Sequence, residues 1–295
     1  MKQTTIKRPV SGVGIGLHKG EPIKITLEPL GVDSGIVFYR SDKNVSFKAE
    51  PKNVLNTQMA TVLGANDDCF VSTIEHFMSA VASYGIDNMR VILDANEIPV
   101  MDGSAISFCM MLDDAGIEYL DKNKQAILIK KEVKVTDGKK FAMLTPSKEP
   151  NFDFTISFSH PLIGEQNYKF KFSKKNFLNE IAKARTFGFL KDVQYLRSKG
   201  LALGGSLDNA VVIDENRILN PEGLRFENEF VRHKILDAIG DLRLLGSPLL
   251  GDYASFAGSH DLNHKLTLEV LSSSANYEIV TLDESTDEAY EKVFA

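Results

Sequence analysis

The chain has 295 residues, 43% of them apolar and 25% charged, with a net charge of −6 at neutral pH. That length accommodates two domains with separate cores, and the acidic balance argues against a nucleic-acid partner, which favours a basic surface. Cys69 and Cys109 are too few for a disulfide framework and fit a reducing cytosol. Residues 1–8 lack the apolar core of a secretory signal, and no run approaches the ~18 apolar residues that cross a bilayer. A cytoplasmic protein without a membrane span is expected.

In chain order, Gly12-Val13-Gly14-Ile15-Gly16 has the glycines of a nucleotide loop without its spacing. A strand follows it instead of a helix, with Ile23, Ile25 and Leu27 alternating against polar neighbours. Further strands are expected at 35–40, 58–63 and 88–93. Helices are expected at 72–83, ended by Gly85, and at 104–114, opened by Ser104 as N-cap and ended by Gly116. The polar run Asp121-Lys122-Asn123-Lys124-Gln125 reads as a linker between domains at 1–121 and 126–295. Strands then recur near 126–135, 140–145, 152–158 and 168–172. A helix is expected at 173–184, and another at 229–245, stopped by Gly246-Ser247-Pro248. The order of elements hints at two related α+β units.

The last of these helices carries the chemistry. His233 and Asp237 stand four residues apart, one above the other on one face. Such a pair is also an ordinary surface ion pair worth ~0.3–0.5 kcal/mol. It can equally close on one Zn²⁺, each side chain offering a lone pair. Asp241 extends the stripe by another turn, and carboxylates repeated beside one His repel unless a cation offsets them. The best third ligand is His76 in Ser72-Thr73-Ile74-Glu75-His76-Phe77. Glu75 beside it has two readings: a capping box with Ser72, or a base that takes a proton from a metal-activated water. Two His, one Asp, an adjacent Glu and an open fourth position form the site of a zinc hydrolase.

These residues also carry a resemblance. Ser72–His76, Arg232-His233-Lys234-Ile235-Leu236-Asp237 and Gly258-Ser259-His260-Asp261-Leu262-Asn263 resemble three blocks of the UDP-3-O-acyl-N-acetylglucosamine deacetylases of lipid A synthesis in Gram-negative bacteria. Gly14–Gly20, Glu97–Ala105 and Ala184-Arg185-Thr186-Phe187-Gly188-Phe189 extend the likeness in the same order over nearly the whole chain. The resemblance implies two α+β domains, each a β-sheet with a pair of helices, the helices sandwiched between the sheets. It implies Zn²⁺ on His76, His233 and Asp237, and Glu75 as general base. It further implies a cationic His260 supported by Asp241, and Thr186 polarising the amide carbonyl.

Lys234 and Phe187 match residues that meet the substrate, a UDP-linked acylated amino sugar. Residues 190–225 match an insert forming an acyl-chain passage, for which Leu190, Val193, Gly205 and Val212 are the expected contacts. Ala257 and Ser259 depart from the family, many members of which have Lys and Gly there. His18 is expected near the site but outside the metal set. No obligate protein partner is implied. Another metal-dependent N-acyl-sugar amidase, or a non-catalytic α+β protein with a structural metal site, are the competing readings.

Overall fold

Burial alternates along Pro22–Pro29, where Ile23, Ile25 and Leu27 turn inward between exposed or half-exposed neighbours. That period-two pattern makes one face of a sheet. The protein is described by a computed structural model, which covers residues 1–283. The end of the expected second domain, 284–295, lies outside the described residues.

Two five-stranded sheets form the outer layers. The first runs in spatial order Val10–Ile15, Pro22–Pro29, Met89–Leu93, Ile36–Arg40, Val45–Lys48. The second runs Val133–Asp137, Lys140–Thr145, Asp252–Phe256, Asn151–Ser157, Glu165–Lys171. Taken in chain order within each sheet, both have the strand sequence 1-2-5-3-4. In both, the fifth strand runs parallel to the third while its other neighbour is antiparallel. The hint of two related units is thus a shared topology.

Six α-helical segments occur among the described residues: α1 (Glu75–Ser83), α2 (Ile106–Ala115), the single turn α3 (Lys174–Asn176), α4 (Leu190–Ser198), α5 (Glu229–Leu242) and α6 (His260–Leu271). α1 and α5 occupy equivalent places before the fifth strand of each sheet, and α2 and α6 follow that strand. α1 packs on α5 at the centre, with α2 against α1 and α6 against α5. Nearly every residue of α1 and α5 is buried, as expected of helices covered on all sides. One continuous apolar core runs through both units, including Phe38 and Phe77 of the first and Phe154 and Phe230 of the second. Gly240 on α5 marks the closest approach, since a Cβ there would lie 2.0 Å from the Glu75 carbonyl oxygen.

Several local expectations shift. Residues 121–125 are the middle of a 13-residue strand, Ile117–Ile129. It pairs antiparallel with Lys2–Ile6 and with Tyr277–Leu282. Its polar sequence hides the strand because Lys124 is buried by specific partners, the Gly85 carbonyl at 2.6 Å and Asp87 at 3.0 Å. The strand expected at 126–135 breaks at Lys130-Lys131-Glu132, and the one at 58–63 begins only at Val62. Before it, Met59 takes φ +71° and turns the chain out of extended geometry.

The helix expected at 173–184 starts at a Ser173 cap and widens into a turn in which Ala182 N–H reaches the Phe177 carbonyl at 2.7 Å. α2 opens one residue later than expected, with Ala105 at the boundary. Ser104 Oγ still accepts the Ile106 N–H at 3.3 Å. The insert contains α4 and the strand Val211–Ile213, which pairs parallel with Phe187–Phe189 just before the insert.

Candidate metal centre and active site

Packing α1 on α5 brings His76 to the pair on α5. Asp237 Oδ1 lies 3.5 Å from His76 Nε2 and 3.4 Å from His233 Nε2. The two imidazoles meet edge to face with centroids 4.9 Å apart. All three side chains are buried, and their ligand atoms lie within 4.8 Å of one another. Separations of 3.4–3.5 Å are too long for normal hydrogen bonds. They match instead the edge of a tetrahedron of donors each ~2.1 Å from a central ion, which is about 3.4 Å.

The donor chemistry fits a cation. His233 Nδ1 faces the Ala184 carbonyl at 3.0 Å, and a carbonyl only accepts, so Nδ1 carries the proton and Nε2 is a bare lone pair. Burial pushes the His233 pKa down to about 3, keeping the ring neutral. Burial works to raise the Asp237 pKa, but His233 and Lys234 outweigh it and hold the carboxyl well below its ordinary range. Asp237 Oδ2 accepts from Lys234 Nζ at 2.7 Å, while buried Oδ1 has no hydrogen-bond partner. An orphaned carboxylate oxygen costs stability unless a positive group completes it.

A second group of residues stands beside this cluster. Glu75 is buried, and burial raises its pKa above the usual carboxylate value. Its Oε2 accepts the Thr61 N–H at 3.1 Å, and Ser72 Oγ turns instead to the Asn96 carbonyl at 3.3 Å. No capping box forms, and the boundary residue of α1, Ile74, makes no side-chain cap bond.

His260 is the first residue of α6, whose cap Ser259 Oγ accepts the Leu262 N–H at 3.3 Å. Its Nδ1 donates to Asp241 Oδ2 at 2.9 Å, and Nε2 lies 3.8 Å from Glu75 Oε1. Burial opposes its charge, but the carboxylates of Asp241 and Glu75 outweigh that and push the pKa up to about 9.

A cavity of about 670 Å³ is lined by Glu75, His76, His233 and Lys234, together with Thr186 and Phe187; Asp237, Asp241 and His260 are not part of its lining. Phe187 packs edge-on to Phe230, ring centroids 4.9 Å apart, and 6.3 Å from His233. Leu190, Val193, Gly205 and Val212 all line the part that the insert encloses, and His18 lies on the rim.

Sequence reasoning missed the supports. Asp241 also accepts from Thr61 Oγ1 at 2.6 Å and Asn263 Nδ2 at 2.8 Å, and Asn263 in turn accepts from Tyr253 Oη at 2.7 Å. Asn263 stands three residues after His260, a helical spacing that would have flagged it had α6 been read as starting there. The buried Arg185–Glu229 pair, at 2.9 Å, ties the segment bearing Ala184 and Thr186 to the first turn of α5. Thr61 carries no local signal.

A buried three-donor cluster whose two imidazoles line an apolar cavity, with the Glu75 carboxylate on the same lining and His260 3.8 Å from that carboxylate, is a hydrolytic arrangement. Structural sites close on four donors, whereas this one leaves room for substrate. The fold and site therefore define a metal-dependent hydrolase.

The family model of UDP-3-O-acyl N-acetylglycosamine deacetylase matches residues 3–272. Over all 295 residues, and over the full length of each relative, three curated proteins called UDP-3-O-acyl-N-acetylglucosamine deacetylase are similar to it. Identity is 70% to that of Campylobacter fetus subsp. fetus (strain 82-40), 68% to that of Campylobacter jejuni subsp. jejuni serotype O:6 and 66% to that of Campylobacter hominis. The chain belongs to the UDP-3-O-acyl N-acetylglycosamine deacetylase family.

Proposed function

We propose that the protein hydrolyses the acetamide of UDP-3-O-acyl-N-acetylglucosamine, releasing acetate, with Zn²⁺ held by His76, His233 and Asp237. The observation that carries this reading is Asp237 Oδ1, buried, without a hydrogen-bond partner and beside the nitrogens of two imidazoles that line an apolar cavity. When bound, the ion supplies Lewis acidity to the amide carbonyl and to the attacking water.

The chain's own groups do the rest. Glu75, with its proton affinity raised by burial, takes the proton of the water as it attacks. Thr186 directs its hydroxyl to the developing oxyanion, a contribution of roughly 3–4 kcal/mol when preorganised. His260, held cationic by Asp241, adds positive charge there and gives its proton to the departing amine. Lys234 Nζ lines the cavity while neutralising Asp237, and Phe187 offers a flat face to the sugar. Leu190, Val193, Gly205 and Val212 surround the acyl chain. Both cysteines are buried and unpaired, which supports a cytoplasmic setting.

Bound metal and acetate release on the same purified sample test the reading, the substrates being a UDP-sugar series of increasing acyl length. Each methylene buried contributes ~0.8 kcal/mol, so kcat/KM should rise severalfold per carbon until the cavity is filled. Val212→Trp should penalise long chains more than short ones. A flat dependence on length in the wild type would remove the passage and leave the competing reading, a different N-acyl-sugar amidase.

A further inference from the structure

Gly240 lets the backbones of α1 and α5 meet at Glu75, and the next residue on α5, Asp241, shares Thr61 and His260 with the Glu75 carboxylate. Two carboxylates so placed keep a fixed geometry only where donors are assigned to each. His260 lies between them, hydrogen-bonded to Asp241 and 3.8 Å from Glu75.

One further residue reaches both. Thr61 is 1% exposed and uses all three of its polar groups. Its carbonyl accepts the N–H of Ile74, the residue that opens α1, at 3.4 Å. Its N–H donates to Glu75 Oε2 at 3.1 Å, and its hydroxyl donates to Asp241 Oδ1 at 2.6 Å. The direction of the last bond follows from chemistry, since an ionised carboxylate only accepts. The loop that presents Thr61 is held in an unfavourable backbone state, with φ +71° at Met59 two residues earlier. Non-glycine residues pay strain of this kind where the surrounding structure needs the loop in one place.

We infer that Thr61 is a positioning residue, which fixes Glu75 against the His260–Asp241 pair across the junction of the two units. It acts through those groups and touches no substrate. Without the hydroxyl, Asp241 Oδ1 loses its donor, and the carboxylate is held through Oδ2 alone, by His260 and Asn263. His260 then has a less constrained partner to aim its Nε2. The inference rests on the deacetylase reading above, and it goes beyond it by adding a residue that links the two proton-handling groups.

The test compares Thr61→Val, which keeps the shape and the backbone N–H, with Thr61→Ser, which restores the hydroxyl. With UDP-3-O-acyl-N-acetylglucosamine as substrate, kcat of T61V should fall about ten- to a hundredfold, the usual effect of removing such a support. KM and bound metal should stay near wild type, and T61S should recover most of the rate. The pair Thr61→Ala and Thr61→Ser differs only in the hydroxyl and repeats the comparison if T61V does not fold.

A proton NMR signal from His260 Nδ1–H, bonded to Asp241, should be present in wild type and T61S and be shifted or broadened in the variants lacking the hydroxyl. That readout does not depend on turnover. A T61V or T61A enzyme with wild-type kcat, a loss confined to KM, or a T61S enzyme as slow as T61A would overturn the inference. A wild-type enzyme that binds metal but releases no acetate would instead overturn the reading beneath it, and the NMR comparison would then decide the positioning role alone.

Discussion

Glu75 and His260 both have pKa values raised above their ordinary ranges, and the cause differs for each. Burial, helped by the like charges of Asp237 and Asp241, lifts the carboxyl, whereas the imidazole rises against burial because two carboxylates face it. Glu75→Gln leaves an oxygen to accept the Thr61 N–H and disturbs no capping box, so the melting temperature should barely move. It cannot accept a proton, and kcat should drop ~10²–10⁴-fold with metal retained. A large loss of stability at near-normal turnover would make Glu75 structural.

The His260 shift fixes the sign of a pH effect. Its folded pKa of about 9 stands above the ordinary 6.5. The ion pair therefore stabilises the fold fully below about pH 6.5, and that contribution is lost as the pH rises through about 9. Turnover should show an alkaline limb near pH 9 on the same grounds. His260→Gln should slow turnover and flatten that limb, while an unchanged limb would assign the acid role to another group. Any limb measured belongs to the coupled site, since Glu75 titrates against the same ring.

At the scale of elements, the crossing of α1 and α5 is the critical contact. An added Cβ at Gly240 meets the Glu75 carbonyl oxygen at 2.0 Å, and backbone cannot move aside as a flexible side chain can. Gly240→Ala should cost about 1–3 kcal/mol in urea unfolding. It should also weaken metal binding, because His76 moves with α1. Gly31→Ala, where a Cβ meets nothing within 4 Å, is the control and should do neither. Equal effects at both positions would mean that the helix contact tolerates displacement.

The whole molecule behaves as one unit because its apolar core is continuous between the two sheets. His76 comes from the first unit, and His233 and Asp237 from the second, so a bound ion links the two. Calorimetry should show a single transition with and without chelator. At a thousandfold excess of metal over its dissociation constant, binding to the native state alone contributes about 4 kcal/mol. Chelation should then lower Tm on the order of 10 °C in a chain of this size. Two separated transitions would show that the shared core does not couple the units.

Local spacing made much of this legible in the sequence. His233 and Asp237 lie on one face because the helix period places residues four apart together, whatever surrounds them. Glu75 and His76 are chain neighbours, and the strands at 140–145 and 152–158 alternate clearly enough to be read within a residue or so. What the sequence could not determine is which distant surfaces meet. The strand through 121–125 looked like a linker because its stability comes from partners at both ends of the described chain, and buried Lys124 is satisfied by Gly85 and Asp87.

Thr61 is separated from Asp241 by 180 positions, and neither residue signals the other. Their meeting depends on a helix crossing that Gly240 permits and on a loop turned at Met59. The ligand pair on α5 was thus determined by the sequence itself through backbone geometry. The approach of His76 to that pair, the bonds from Thr61 to Glu75 and Asp241 and the shape of the cavity were decided by tertiary packing, because side-chain contact between separate elements depends on how the whole core closes.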